Sequence, residues 1–218
     1  MLIALAALAA VTTSAVAADM PTKAPQYVNP AALPDWSGFV VGIQGGYGWA
    51  SATPDVPITP FSNPSTKGWA FGGYGGYNWQ VGQYVLGLEV AYTQADLTES
   101  QTVNRTSVNT KLDRLGNVNA KMGYLITPGM ELYAAGGLAF GGAEATLTNG
   151  VNSVTARGNH WGWDAGVGAE IRLAQHLSLG LEYLHYGLGN ATYSVTGIGA
   201  INARVTADVV KAKLGWQF

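Results

Sequence analysis

Three histidines, His160, His176 and His185, are the side chains here whose ordinary titration range suits proton transfer near neutral pH. Acyl transfer would need more: a nucleophile, a base within hydrogen-bond reach and an acid that orients the base, all converging at one point. His185 with Ser194 is one candidate pair, and Asp164 near His160 offers a candidate orienting acid. Against this stands a plainer reading, in which His160 and His185 sit at a membrane rim and His176 at a tight turn. No His/Asp/Glu group shows the spacing of metal ligands, so no metal and no cofactor is expected. Gly73-Tyr74-Gly75-Gly76 and Gly166-Val167-Gly168 do not complete a nucleotide-binding fingerprint, nor does either join a strand to a helix.

A larger set of charges shares one parity along extended segments: Glu89, Glu170 and Glu182 with Lys121, Arg172, Lys211 and Lys213, accompanied by Gln44, Tyr74, Asn117, Asn119 and Tyr133. Acids and bases in similar number suit a buried network in which every charge is paired. The alternative is a narrow conduit lined by both signs. The enclosure must be identified to decide between them.

Period-two alternation runs through eight segments. They cover Trp36–Trp49, Lys67–Gln80, Tyr84–Thr93, a stretch ending at Tyr124, Glu131–Phe140, Trp161–Arg172, Leu177–Tyr183 and Val209–Phe218. Three connections are tight, at Val81–Gln83, Thr127–Gly129 and Ala174–Gln175. Four are long and rich in Thr, Ser, Asn, Gly and Pro: 50–66, 95–109, 147–158 and 189–203. Strict alternation of short turns and long loops is the pattern of an outer-membrane up-and-down barrel. On the face opposite the charges, aromatics gather in two bands, as rings at two bilayer interfaces do. One band includes Trp36, Trp79, Trp216 and Phe218; the other includes Trp49, Trp69, Trp161 and Trp163. The fold predicted is all-β: an eight-stranded antiparallel up-and-down transmembrane β-barrel, OmpA-like, with short periplasmic turns and long extracellular loops. An interior of that size is filled by side chains, which favours the plug-like network over the conduit.

The start of the chain fits export. Leu2 to Val11 is aliphatic and Ala15-Val16-Ala17 forms a small-residue cleavage site, predicting a signal peptide over 1–17. Pro21, Pro25, Pro30 and Pro34 mark 18–35 as an extended periplasmic lead-in, and the barrel occupies 36–218. With 30 Gly, 7 Trp, 11 Tyr, no Cys and 11% charged residues, the composition is unusual for a soluble domain and supplies no disulfides. A net charge of -2 without a basic patch argues against nucleic acid.

Ala18-Asp19-Met20-Pro21, Trp36-Ser37-Gly38-Phe39, Gly45-Gly46-Tyr47-Gly48, Gly76-Tyr77-Asn78-Trp79-Gln80, Gly136-Gly137-Leu138-Ala139-Phe140-Gly141, Gly162-Trp163-Asp164 and Glu182-Tyr183 carry a more specific likeness. The chain resembles the small alphaproteobacterial outer-membrane immunogenic proteins, the RopB-like branch of the outer-membrane β-barrel domain group. The complete barrel pattern, with no constellation of catalytic groups, predicts an integral outer-membrane protein that is not an enzyme, contributes to envelope structure and presents four loops to a host or the environment. The resemblance implies outer-membrane lipid, lipopolysaccharide and, during insertion, the barrel-assembly machinery as partners, with Phe218 as the assembly signal. Host or surface ligands would be met through the loops, and haemin capture is associated with relatives. A lipid-modifying barrel enzyme, a haemin-binding surface protein and a narrow porin-like conduit are the alternatives.

Overall fold

The computed structural model describes residues 35–54, 65–103, 106–149, 152–195 and 199–218. The expected signal peptide and all of the lead-in except Asp35 lie outside the described residues, as does the segment 55–64. Eight antiparallel strands follow in chain order: β1 (Gly38–Pro54), β2 (Ser65–Val81), β3 (Tyr84–Val103), β4 (Thr106–Thr127), β5 (Met130–Asn149), β6 (Asn152–Arg172), β7 (Leu177–Val195) and β8 (Gly199–Gln217). Each pairs with the next, and β8 pairs with β1 to close the barrel.

Alternation along the strands decides which way each side chain points. On β1, Phe39, Val41, Ile43, Tyr47 and Trp49 are exposed, whereas Val40, Gln44 and Ala50 are buried. Exposed large apolar residues occur on every strand, an inversion relative to a soluble protein, while the buried inner face carries polar and charged side chains together with apolar ones.

Register fixes the barrel's size. Passing from partner to partner, Phe39, Tyr77, Leu88, Ala120, Gly136, Ala165, His185 and Asp208 lie on one line, which returns to β1 at Trp49, ten residues beyond its start. Such a stagger over eight strands requires a steep tilt, of the order of 35–45°. It leaves an interior that side chains fill.

The closing seam uses the end of the chain. Val40 pairs with Gln217, the Phe218 N–H donates to the Phe39 carbonyl at 2.9 Å, and the Gln217 N–H donates to the His176 carbonyl at 2.8 Å. Gly38 at φ 135 lies where a Cβ would collide with the Phe218 carbonyl oxygen, so the seam itself requires glycine there. The three tight turns fall where the sequence puts them. The first carries Gly82 at φ 63, the left-handed geometry that a two-residue hairpin needs.

The long connections differ from expectation. Segments 95–109, 147–158 and 189–203 are mostly ladder: β3 and β4 stay paired to Val103↔Thr106, β5 and β6 to Asn149↔Asn152, and β7 and β8 to Val195↔Gly199. Their Thr, Ser and Asn content suggested loops, but their backbones form ladders, and Thr146 meets Thr155 across one of them at 3.0 Å. Strands of 17 to 22 residues exceed the ~9–11 that cross a bilayer, so tall hairpins stand beyond one end of the wall.

Candidate functional site inside the barrel

The inner faces carry one message on four strands. Read from the turn end to the hairpin end, β3 shows Val85, then Glu89, then Ala91, Ala95 and Leu97; β4 shows Leu125, Lys121, Asn119 and Asn117, then Leu115 and Leu112. On β7 the order is Ser178, Glu182, Leu184, Tyr186, Leu188, and on β8 Gln217, Lys213, Lys211, Val209, Ala207, Val205. A charged layer therefore lies beneath an apolar one, and a second apolar cluster of Trp36, Val85 and Leu125 lies at the turn end.

The charged layer is held by short contacts, some between neighbouring strands and some across the lumen. Lys213 Nζ lies 2.6 and 2.8 Å from the two Glu89 carboxylate oxygens and 3.2 Å from Glu182 Oε2. Lys211 Nζ reaches Glu182 Oε1 at 3.0 Å, and the Tyr133 hydroxyl donates to Glu182 Oε2 at 2.9 Å. Lys121 Nζ bridges Glu131 at 2.9 Å and Glu170 at 3.3 Å. The ammonium groups of Lys213 and Lys121 stand 4.3 Å over the Tyr74 ring and 4.2 Å over the Tyr133 ring. Removed from water, such charges persist only because each has a partner of opposite sign, and the aromatic faces add further attraction. Asp164 is treated differently: Asn117 and Asn119 donate to its Oδ2 at 2.7 and 2.9 Å. Gln44 donates to Thr93 Oγ1 at 2.8 Å. Interior glycine makes room for the large members: a Cβ on Gly168 would fall on the Tyr133 ring.

Below this layer the turn end is closed by the residues just before β1. Trp36 was expected in the outward aromatic band, but it is 0% exposed. It precedes β1, so strand parity does not govern it, and its ring turns into the lumen against Val85 and Leu125. Its backbone N–H donates to Gln80 Oε1 at 2.8 Å and its indole N–H to the Pro128 carbonyl at 3.0 Å. Arg172, expected among the lumen charges, lies outside the ion-paired cluster. Its guanidinium stands 4.5 Å over the Trp36 ring and donates to the Gln175 carbonyl at 2.7 Å, to the Asp35 carbonyl at 2.9 Å and to the Gln217 side chain. The end of β6 brings it to the barrel mouth, half-exposed. The backbone N–H of Ser37 donates to Asp35 Oδ1 at 2.8 Å; this bond, then the Ser37 hydroxyl and the more distant Arg172 charge, holds the Asp35 carboxyl below its ordinary range against a small opposing effect of burial.

The remaining predicted residues divide cleanly. Glu89, Lys121, Glu170, Glu182, Lys211 and Lys213 form the interior cluster. Trp79, Trp216, Phe218, Trp49, Trp69, Trp161 and Trp163 all face outward and are exposed. Cross-strand ring contacts join Tyr47 to Trp69 at 5.5 Å and Phe140 to Trp161 at 5.7 Å. His160 is not a rim residue: it is buried on the inner face of β6, hydrogen-bonded to the backbone of Leu188. His185 does face outward, but its partner is Asp208, 2.8 Å from Nδ1, with the Tyr183 hydroxyl 2.6 Å from the same carboxylate oxygen. Ser194 pairs with Ala200, nine residues farther along β7, so the suggested His185–Ser194 pair is not formed.

Glu131 was missed as a member of the cluster although its parity places it inside; it is 0% exposed and bound to Lys121. The upper apolar layer was missed too: Ala50, Ala95 and Leu97 lie in segments read as loops, and Leu112, Leu184, Leu188 and Val205 lie just outside the stretches assigned to strands. Period two carried outward from the assigned strands, through Leu112 between Lys111 and Asp113 and Val205 between Arg204 and Thr206, would have revealed it.

The model of the outer membrane protein beta-barrel domain matches residues 3–218. The 31 kDa outer-membrane immunogenic protein of Brucella melitensis biotype 1 is 28% identical over 241 residues, covering 98% of each chain. The 25 kDa outer-membrane immunogenic protein of Brucella abortus biovar 1 is 28% identical over 220 residues, covering 98% of this chain and 95% of that one. Among solved structures, Neisserial surface protein A gives a TM-score of 0.48 at 16% identity, covering 84% of this chain and 98% of that one. OprG from Pseudomonas aeruginosa gives 0.49 at 13% identity, covering 85% and 98%.

Proposed function

Because this chain belongs to the outer membrane protein beta-barrel domain family and is integral to the outer membrane, we propose that it is a non-enzymatic barrel that strengthens the envelope and displays its hairpins outside the cell. One observation carries the reading: apolar residues occupy the interior both above and below the charged layer, so the lysines and carboxylates serve the wall rather than a passing solute. The tight turns and Phe218 then face the periplasm, and the tall hairpins face outward. The aromatics at the two ends of the wall sit at the two bilayer interfaces. Phe218, exposed beside the seam, is offered to the assembly machinery before β8 pairs with β1.

The enzyme reading finds a base and an orienting acid in His185 and Asp208, but the hydroxyl at that pair, on Tyr183, donates to Asp208 rather than to His185, so the nucleophile–base hydrogen bond that acyl transfer needs is not the one formed there. Intact-cell proteolysis together with detergent challenge of a deletion strain tests the proposal. Cleavage within the hairpins, protection of the turns and loss of detergent resistance on deletion support it; uncut hairpins with unchanged resistance would refute it.

A further inference from the structure

The lipid-facing side of the wall is recessed around Ala134. A groove of about 620 Å³ opens there between a ridge on β4, made by Met122 and Tyr124, and Val167 on β6, with Leu132 at its turn end. Register explains the shape. Met122, Ala134 and Val167 are direct neighbours across three strands, so a single methyl group stands between two larger, exposed side chains. The next outward positions toward the hairpins on the same strands are Ala120, Gly136 and Ala165, and their small size leaves the groove open toward the middle of the wall. Its floor is the backbone of Gly123, Tyr133 and Gly168, one line of the ladder at which side chains turn inward.

Polarity changes once along this groove. At the turn end the Tyr124 hydroxyl donates to Gln83 Oε1 at 2.8 Å, in the turn between β2 and β3, and the Tyr84 and Tyr124 rings meet at 5.5 Å between centroids. From there toward the middle of the wall the side chains on either side are hydrocarbon or thioether. A hydroxyl and amide end followed by an apolar trough is the polarity of a glycerophospholipid lying along the wall, its ester and headgroup region at the interface and one chain in the trough. The volume falls within the range of about 300–1,000 Å³ that holds small-molecule ligands, which separates the groove from ordinary surface roughness. Met122, Leu132 and Val167 would touch such a chain on three sides, whereas a convex stretch of wall touches it on one, and dispersion contacts add with each side.

We propose that the groove over Ala134 is a binding site for one acyl chain of a glycerophospholipid of the periplasmic leaflet, which stays with the barrel while the lipids around it exchange. The bilayer faces the wall at this height, so the occupant comes from the membrane itself. The leaflet follows from the end at which the polar groups stand: Tyr84 opens β3 and Gln83 lies in a tight turn, and the turns face the periplasm in the orientation proposed above, on which this part of the inference rests. A lipopolysaccharide has its saccharide and phosphates at the opposite interface, beside the hairpins, and does not bring a headgroup to this end.

The test uses the protein in nanodiscs of phosphatidylethanolamine and phosphatidylglycerol, doped with a phosphatidylethanolamine that carries a diazirine midway along one acyl chain. Peptide mapping after irradiation locates the cross-links, and native mass spectrometry after transfer to detergent counts the phospholipid that stays bound. Cross-links should fall on Met122, Ala134 and Val167 about fivefold or more above the outward positions of β8, with one phospholipid retained per chain. Ala134→Trp fills the groove with an indole and should lower both signals about fivefold or more, while Ala212→Trp, the same change at an exposed alanine of β8, leaves both as in wild type. Ala134→Leu serves if Ala134→Trp fails to insert, as judged by heat-modifiable mobility. Cross-links spread evenly round the wall, no retained phospholipid, equal retention in wild type and the groove variant, or a groove shielded from the probe, as a second copy seated there would leave it, would each overturn the proposal. Both leaflets of the disc have one composition, so this result does not depend on which end of the barrel faces the periplasm. Intact-cell proteolysis of the hairpins reports on that separately, and failure of the groove and failure of the orientation are distinct results.

Discussion

Lys213→Met probes the interior most sharply, because it keeps the aliphatic stem and deletes only the charge. Its ammonium touches both oxygens of Glu89 and one of Glu182, and its side chain is 2% exposed. Breaking one side of a buried ion pair costs about 3–5 kcal/mol, since the surviving charge is stranded. Two features of the site place this variant at the lower end. Glu182 keeps Lys211 at 3.0 Å, and the Glu89 side chain is 14% exposed, enough to recruit water. The expected loss is therefore about 3 kcal/mol. Adding Glu89→Gln to Lys213→Met removes the stranded charge and should recover at least about half of that loss. Urea unfolding in lipid vesicles, followed by tryptophan fluorescence and by heat-modifiable mobility, measures both variants. If Lys213→Met lay within about 1 kcal/mol of wild type, the value of an exposed pair, the interior would be hydrated and the description of a dry paired layer would fail.

Further expectations follow from single contacts. Gly168→Val places atoms on the Tyr133 ring and should cost about 1–3 kcal/mol in the same unfolding assay, whereas Gly75→Ala, whose Cβ would meet only ordinary contacts, should cost little. Trp36→Ala removes the largest side chain at the turn end and should cost about 3–5 kcal/mol, with faster hydrogen exchange at the Val85 and Leu125 amides. The Asp35 carboxyl is held below its ordinary range, so its stabilising contribution is present above about pH 4 and lost as pH falls through the lower folded value. The stability difference between wild type and Asp35→Asn should accordingly shrink in that acid range and stay constant above it.

The wall was legible in the sequence because alternation is a local property. Val210, Ala212, Leu214, Trp216 and Phe218 announce an outward face without knowledge of their neighbours, and parity alone places Lys211 and Lys213 inside. Pairings within the interior were not legible. Lys213 meets Glu89 across 124 positions in the chain, and that meeting depends on a ten-residue stagger that only the closed register supplies. Trp36 was misplaced because periodicity was carried past the strand's beginning at Gly38, to a residue whose direction is set by hydrogen bonds to Gln80 and Pro128. The hairpins were read as loops because Thr, Ser and Asn suit turns, although beyond the membrane the same residues form an ordinary two-sided ladder.

Single-channel recording of the wild-type protein in planar lipid bilayers tests the sealed interior most directly. With Trp36, Val85 and Leu125 below the charged layer and Leu97, Leu115, Leu184 and Leu188 above it, the barrel should insert without stepwise conductance. Reproducible unitary current steps from the folded, heat-modifiable wild-type species would show a continuous aqueous path and contradict it.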